Sequence, residues 1–138
     1  MDALIRGDHG QSLVIAALLL AVAALALTLL LGAQDRLVSA VRDQRTGEAA
    51  VAAAGSAVAD LQLARVRATG RPLTIGEIEA FAAEASILEA ARAAARRIAD
   101  AHGDARIIDI VVRSFGSEIE IHLGLGGRTH IALLAPPA

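Results

Sequence analysis

The sequence predicts an α+β fold. A long N-terminal helix whose first half spans a membrane leads to a second helix and a C-terminal three-stranded antiparallel meander. Three observations carry that expectation. Residues 13–33 read LVIAALLLAVAALALTLLLGA, with no charge among them. Apolar residues recur at helical spacing through Ile78, Phe81, Ala85, Leu88, Ala91, Ala95 and Ile98. After Arg106 the period falls to two, and glycine-containing turns separate the apolar runs.

Composition narrows the functional classes. The chain has 138 residues, room for one small domain and little more. It has no Cys, which excludes a disulfide scaffold and a Cys-ligated metal site. The net charge of −2 leaves no basic footprint for nucleic acid.

The run from Leu13 to Ala33 matches the roughly 20 apolar residues that a helix needs to cross a bilayer core. Only Thr28 and Gly32 interrupt the aliphatics, and the Thr28 hydroxyl can bond back to the preceding turn. Two alternatives fit less well. A soluble core helix would need more protein around it than so short a chain supplies. A cleaved secretory signal usually has a shorter apolar region, and Leu31-Gly32-Ala33 is a poor cleavage match. Arg6 precedes the span while Arg36, Arg42 and Arg45 follow it, so the basic residues alone favour a cytoplasmic C-terminal side.

The helix is expected to continue beyond the membrane, from about Ser12 to about Ala68. Polar residues enter after Gln34 without a turn signal, and alanine is dense from Ala49 to Ala64. Val51, Ala54, Val58, Leu61 and Arg65 fall near one face. Gly47 and Gly55 each cost about 1 kcal/mol relative to Ala inside a helix. Thr69-Gly70-Arg71-Pro72 ends it. The second helix opens on Thr74 and Glu77, which have capping-box spacing. Its acids, Glu77, Glu79 and Glu84, come early and Arg92, Arg96 and Arg97 come late, an order that suits the helix dipole. Gly103, after His102, is the expected stop.

Three strands follow, over 106–113, 118–125 and 129–134. Pairing Arg113 with Glu118 and Asp109 with His122 aligns Val112, Ile110 and Ile108 with Ile119, Ile121 and Leu123 on one apolar face. Phe115-Gly116 is then the turn. In the second hairpin a three-residue loop, Gly126-Gly127-Arg128, sets Leu123 against Ile131 and Ile121 against Leu133.

Several residue constellations suggest chemistry, and each meets a geometric objection. Arg6-Gly7-Asp8 matches an integrin-binding tripeptide at the very start of the chain. Gly124-Leu125-Gly126-Gly127 follows a strand but leads into another strand, so no helix N-terminus faces a phosphate. His9, His102, His122 and His130 lack metal-ligand spacing. His122 and His130 can approach across the second hairpin near Glu120 and Asp109, where a solvated sheet face is the expected reading. Ser117, His122 and Asp109 have the residue types of a triad but no traceable oxyanion hole. Glu118 and Glu120 lie on one strand face, not across a cleft. The chain is read as a non-enzyme with no catalytic residue, no cofactor and no metal.

The order of elements resembles the type IV pilin-like architecture, and local motifs narrow the likeness. Asp8-His9-Gly10-Gln11-Ser12-Leu13-Val14 resembles the (R)GQALVEFAL start of TadE-like proteins of the tight-adherence (Tad) pilus. The alanine-rich stretch from Glu48 to Ala59 is similar to the segment after the TadE/TadG membrane helix, and Ala91 to Ala138 is similar in pattern to short TadE-like proteins.

The resemblance implies a cytoplasmic leader over 1–10, a long helix over 11–68 with its span at 13–33, and an extracytoplasmic head over 69–138. It implies prepilin-type cleavage between Gly10 and Gln11. Its partners are membrane lipid, a prepilin peptidase and other pilin-like subunits that pack through the N-terminal helix, in which Ala16, Ala17, Ala21, Ala23, Ala24 and Ala26 permit close approach. The family's usual Glu at the fifth mature position is Ile15 here, which favours a minor or accessory pseudopilin over a major one. The location implied is the bacterial cytoplasmic membrane, single-pass. The alternative is an anchored binding module whose head recognises an envelope or secreted partner.

Overall fold

A computed structural model describes residues 6–103 and 107–137, with side chains from residue 13 onward except at 108. The elements are α1 (Arg6–Thr69), α2 (Ile75–Ala82), α3 (Ala85–Ala101), β1 (Ile107–Phe115), β2 (Glu118–Leu125) and β3 (Arg128–Leu134). The α+β class stands, with a long N-terminal helix and a three-stranded antiparallel sheet in the order β1-β2-β3. Two compact units divide inside α1, one of residues 1–40 and one of 41–138.

In the first unit α1 is apolar and exposed over residues 13–33. Leu13 is 73% exposed and Leu31 52%, and none of the most apolar window is buried. This helix is long and apolar enough to cross a membrane. Thr28 donates its hydroxyl to the Leu25 carbonyl at 2.8 Å, so the polar side chain is satisfied within the helix.

In the second unit residues 41–69 of α1 pack with the head. Ala50, Val51, Ala54 and Val58 join Ile78, Phe81, Ile87, Ala91 and Ala95 of α2 and α3 in one core. Ile110, Ile119, Ile121, Leu123 and Leu125 close it from the sheet. The buried stripe of α1 ends on Gln62, whereas Leu61, expected on that stripe, is 39% exposed.

Three expectations are corrected. The single second helix is two. Ala83 caps α2, and Glu84, in an extended conformation, starts α3. The break resets the helical phase, so Ile87 is buried where Ala85 was expected, and Ala85 is exposed. Arg65 of α1 holds the break by pairing with Glu84 at 2.9 Å.

The first hairpin is shifted by two residues. Phe115 pairs with Glu118, Arg113 with Glu120, Val112 with Ile121 and Ile110 with Leu123. The turn is Gly116-Ser117, not Phe115-Gly116. Gly116 has φ 61° while Ser117 keeps negative φ, as a two-residue II′ turn requires, and Phe115 is spared that strain. A shift of two preserves the faces, so Ile110, Ile119, Ile121 and Leu123 still point inward.

The second hairpin slips by one, which reverses the face of β3. Gly126 and Gly127 both have positive φ, 58° and 76°, so they form a two-residue I′-like turn without Arg128. Leu123 therefore pairs with His130 and Ile121 with Ala132. Ile131 and Leu133, expected in the core, are 55% and 61% exposed.

The entry to α2 carries a pH signature. Arg71 grips the Glu77 carboxylate at 2.9 and 2.7 Å, and the Thr74 amide and hydroxyl donate to it at 2.8 and 2.9 Å. The Arg71 bonds chiefly, then those of Thr74, hold the Glu77 carboxyl down at about 2, below its ordinary 4.5. The stability that the charged form contributes is full above the ordinary value and declines as pH falls through the lowered one. Glu77→Gln is expected to unfold at lower temperature than the parent at neutral pH. The gap should close as pH falls from 4.5 toward about 2. Calorimetry of the detergent-solubilised chain checks it, and a constant gap contradicts the capping role.

Candidate functional site

Two features of the chain carry functional argument: the N-terminal motif and the junction of α1 with β3. Gly10 and Gln11 lie on helical backbone near the start of α1, and their side-chain surroundings are outside the described residues. The Arg6-Gly7-Asp8 side chains are outside them as well.

The junction forms because β3 runs along α1. Asp43 lies beside Gly126, Gly47 beside His130, and Gly55 beside Ala132 and Leu134. Arg128 at the start of β3 donates to Gln44 at 3.0 Å, and Gln44 donates to Glu48 at 3.0 Å. The two helix glycines, costly in propensity, sit where the strand comes closest. A Cβ at Gly47 would overlap the His130 imidazole, while one at Gly55 would lie 3.6 Å from Leu134 and 3.7 Å from Ala132. His130, expected on a solvated face, is turned toward the helix by the slipped register. Its Nε2 and the Thr46 hydroxyl are buried without hydrogen-bond partners among the described residues. Sequence reasoning missed this junction, although two glycines eight residues apart in an alanine-rich helix were its signal.

The other constellations are not assembled. His122 pairs with Ile131 and His130 with Leu123, so the two imidazoles point to opposite faces of the sheet. His122 instead meets Glu120 at 3.0 Å on the outer face. Ser117 lies at the hairpin tip, whereas Asp109 pairs with Gly124 near the far end of β1. Asp109 and Phe115 are six positions apart along the strand, about 20 Å. Gly124 and Leu125 belong to β2, and Gly126-Gly127 turns directly into β3. Among the described residues no group of three His, Cys, Asp or Glu side chains is placed to hold a metal ion.

The head's remaining polar contacts tie α1 to α2 and α3. The Arg65 guanidinium sits 5.5 Å above the Phe81 ring while pairing with Glu84. These contacts fix geometry and present no reactive group to a cleft.

Comparison with protein-family models, curated proteins and solved structures finds no match.

The junction is testable by a double-mutant cycle. Gly47→Ala should destabilise the head even though alanine gains about 1 kcal/mol of helix propensity. Added to His130→Ala, the same change should become neutral or stabilising, because the space is then free. Chemical unfolding of the four proteins in one detergent reads the coupling, and strict additivity contradicts the close approach.

Proposed function

We propose that the chain is a membrane-anchored, TadE-like minor pseudopilin, a structural subunit of a Tad- or type IV-like pilus assembly or secretion machine. The reading is supported most by α1. One helix is apolar and exposed from Leu13 to Leu31, and from Thr46 to Gln62 it buries one stripe against an α+β head. The first part suits lipid and, during assembly, other apolar helices. The second part carries the head. Small residues such as Ala16, Ala17 and Ala21 would let neighbouring helices approach closely.

In this reading the head lies outside the bacterial cytoplasmic membrane, and residues 1–10 face the prepilin peptidase. The arrangement of arginines argues for the opposite orientation, so the resemblance at Gly10-Gln11 bears that part of the reading. The Gly10–Gln11 bond lies on helical backbone, so cleavage would require the start of α1 to unwind. Glycine, a weak helix former, lowers that cost. Ile15 supplies no carboxylate to pair with a neighbouring amino terminus, which favours an initiating or accessory role over bulk incorporation.

The anchored binding module is kept as a second reading because β3 exposes Ile131 and Leu133 on an edge strand. N-terminal sequencing of the protein from native membranes separates the two. The pseudopilin reading expects a mature chain that begins at Gln11, and Gly10→Leu should leave a full-length, membrane-bound chain that no longer supports assembly. Retention of Met1 in cells that process their other prepilins would overturn it in favour of the binding module.

A further inference from the structure

We propose that the outer edge of β3 is a docking site for an extended segment of a partner protein, added to the sheet as a fourth strand that carries a basic residue and, two positions on, an aliphatic one. This goes beyond the pilus reading and does not depend on it.

The edge is open. The sheet order leaves β1 and β3 at its borders. Proteins usually protect such borders with charges, prolines or bulges. β1 has a bulge between Ile107 and Asp109 and carries Asp109 and Arg113. From Thr129 to Leu134 β3 has no Asp, Glu, Arg, Lys or Pro, and its pairing with β2 runs without a bulge. Ile131 and Leu133 are more than half exposed on it.

Beside that edge lies a groove of about 470 Å³, bounded by Glu48, Val51 and Ala52 of α1 and by β3 from Thr129 to Ala132. Consecutive strand residues line it, and these alternate between faces, so the groove follows the strand's border and not one face of the sheet. Because the chain from the Gly126 turn, beside Asp43, through β3 to Leu134, beside Gly55, advances along α1, a strand added next to β3 would lie over the same helix. Side chains on one face of such a strand recur every ~6.8 Å. Glu48 and Ala52 are one helical turn apart, ~6 Å. In an added strand parallel to β3, a residue pointing at Glu48 is thus followed, two positions on, by one pointing at Val51 and Ala52.

Charge chooses the occupant. Glu48 accepts a hydrogen bond from Gln44 and has no cationic partner among the described residues. A second copy pairing through β3 would bring Arg128 as its only strong cation, and Arg128 is already held by Gln44 of its own α1. A separate segment with a free arginine or lysine satisfies both the carboxylate and the apolar floor. Main-chain hydrogen bonds would supply much of the affinity and the two pockets the selectivity.

The test uses the full chain in lipid nanodiscs and an end-blocked synthetic peptide that begins Arg-Thr-Val-Thr-Val, with valine two positions after arginine. Hydrogen exchange is expected to slow in β3, and an otherwise identical peptide N-methylated at its strand-pairing amides should not bind. Glu48→Gln should weaken binding by about two- to fivefold, the size of an exposed ion pair. Exchange in β3 that the peptide leaves unchanged would overturn the proposal. So would equal binding by the N-methylated peptide, or an affinity unaltered by Glu48→Gln. Protection of β3 that appears without peptide and grows with protein concentration would assign the edge to a second copy and overturn it too.

Discussion

The head depends on how closely β3 can approach α1. The chain has no Trp and no Tyr, and of its two Phe only Phe81 is buried, Phe115 being 69% exposed. A core of Ala, Val, Ile and Leu is thin, and dispersion rewards it only when backbones come close. Small residues on α1 allow this. Ala50 and Ala54 are fully buried, and Gly47 and Gly55 lie under His130 and under Ala132 with Leu134. Ala132 pairs with the inward-facing Ile121 and so faces the helix, close to Gly55. The glycine pair at 126–127 sets the register that puts it there.

The same helix meets two different demands along its length. Over residues 13–33 its side chains are almost all aliphatic, with the Thr28 hydroxyl satisfied internally, which suits a solvent without hydrogen bonds. Through the second unit it narrows to a stripe of small residues bordered by polar anchors. Asp43 lies against Gly126, Gln44 holds Arg128, and Arg65 holds Glu84 while lying over Phe81. The exposed border of β3 is a separate resource, on the side of the head where Glu48 remains available.

Much of this was legible in residue spacing. The apolar run at 13–33 marks the membrane-compatible helix, Thr74 and Glu77 mark the start of α2, and the inward parity of β1 and β2 follows from their alternation. Loop length was harder to read. Aligning Arg113 with Glu118 rewarded an ion pair, but Gly116 is the residue that tolerates positive φ, and it set the turn one position later. On β3, burying Ile131 and Leu133 looked favourable from composition, whereas the two-residue glycine turn directs His130, Ala132 and Leu134 toward the helix instead. The α2–α3 break carries neither Gly nor Pro to mark it in the sequence, and in the structure Arg65 of α1 pairs with Glu84 there.

The absence of cysteine makes the central packing directly measurable. A Cβ built at Gly55 lies 3.7 Å from that of Ala132, inside the range that a disulfide spans. Gly55→Cys combined with Ala132→Cys should therefore oxidise to an intrachain crosslink in the membrane-bound chain, read as a mobility shift reversed by reductant. Gly55→Cys combined with Ile131→Cys should stay reduced under the same conditions. Crosslinking through position 131 and not through 132 would mean that β3 presents its other face to α1, and would contradict the close packing of Ala132 on Gly55 from which the head is built.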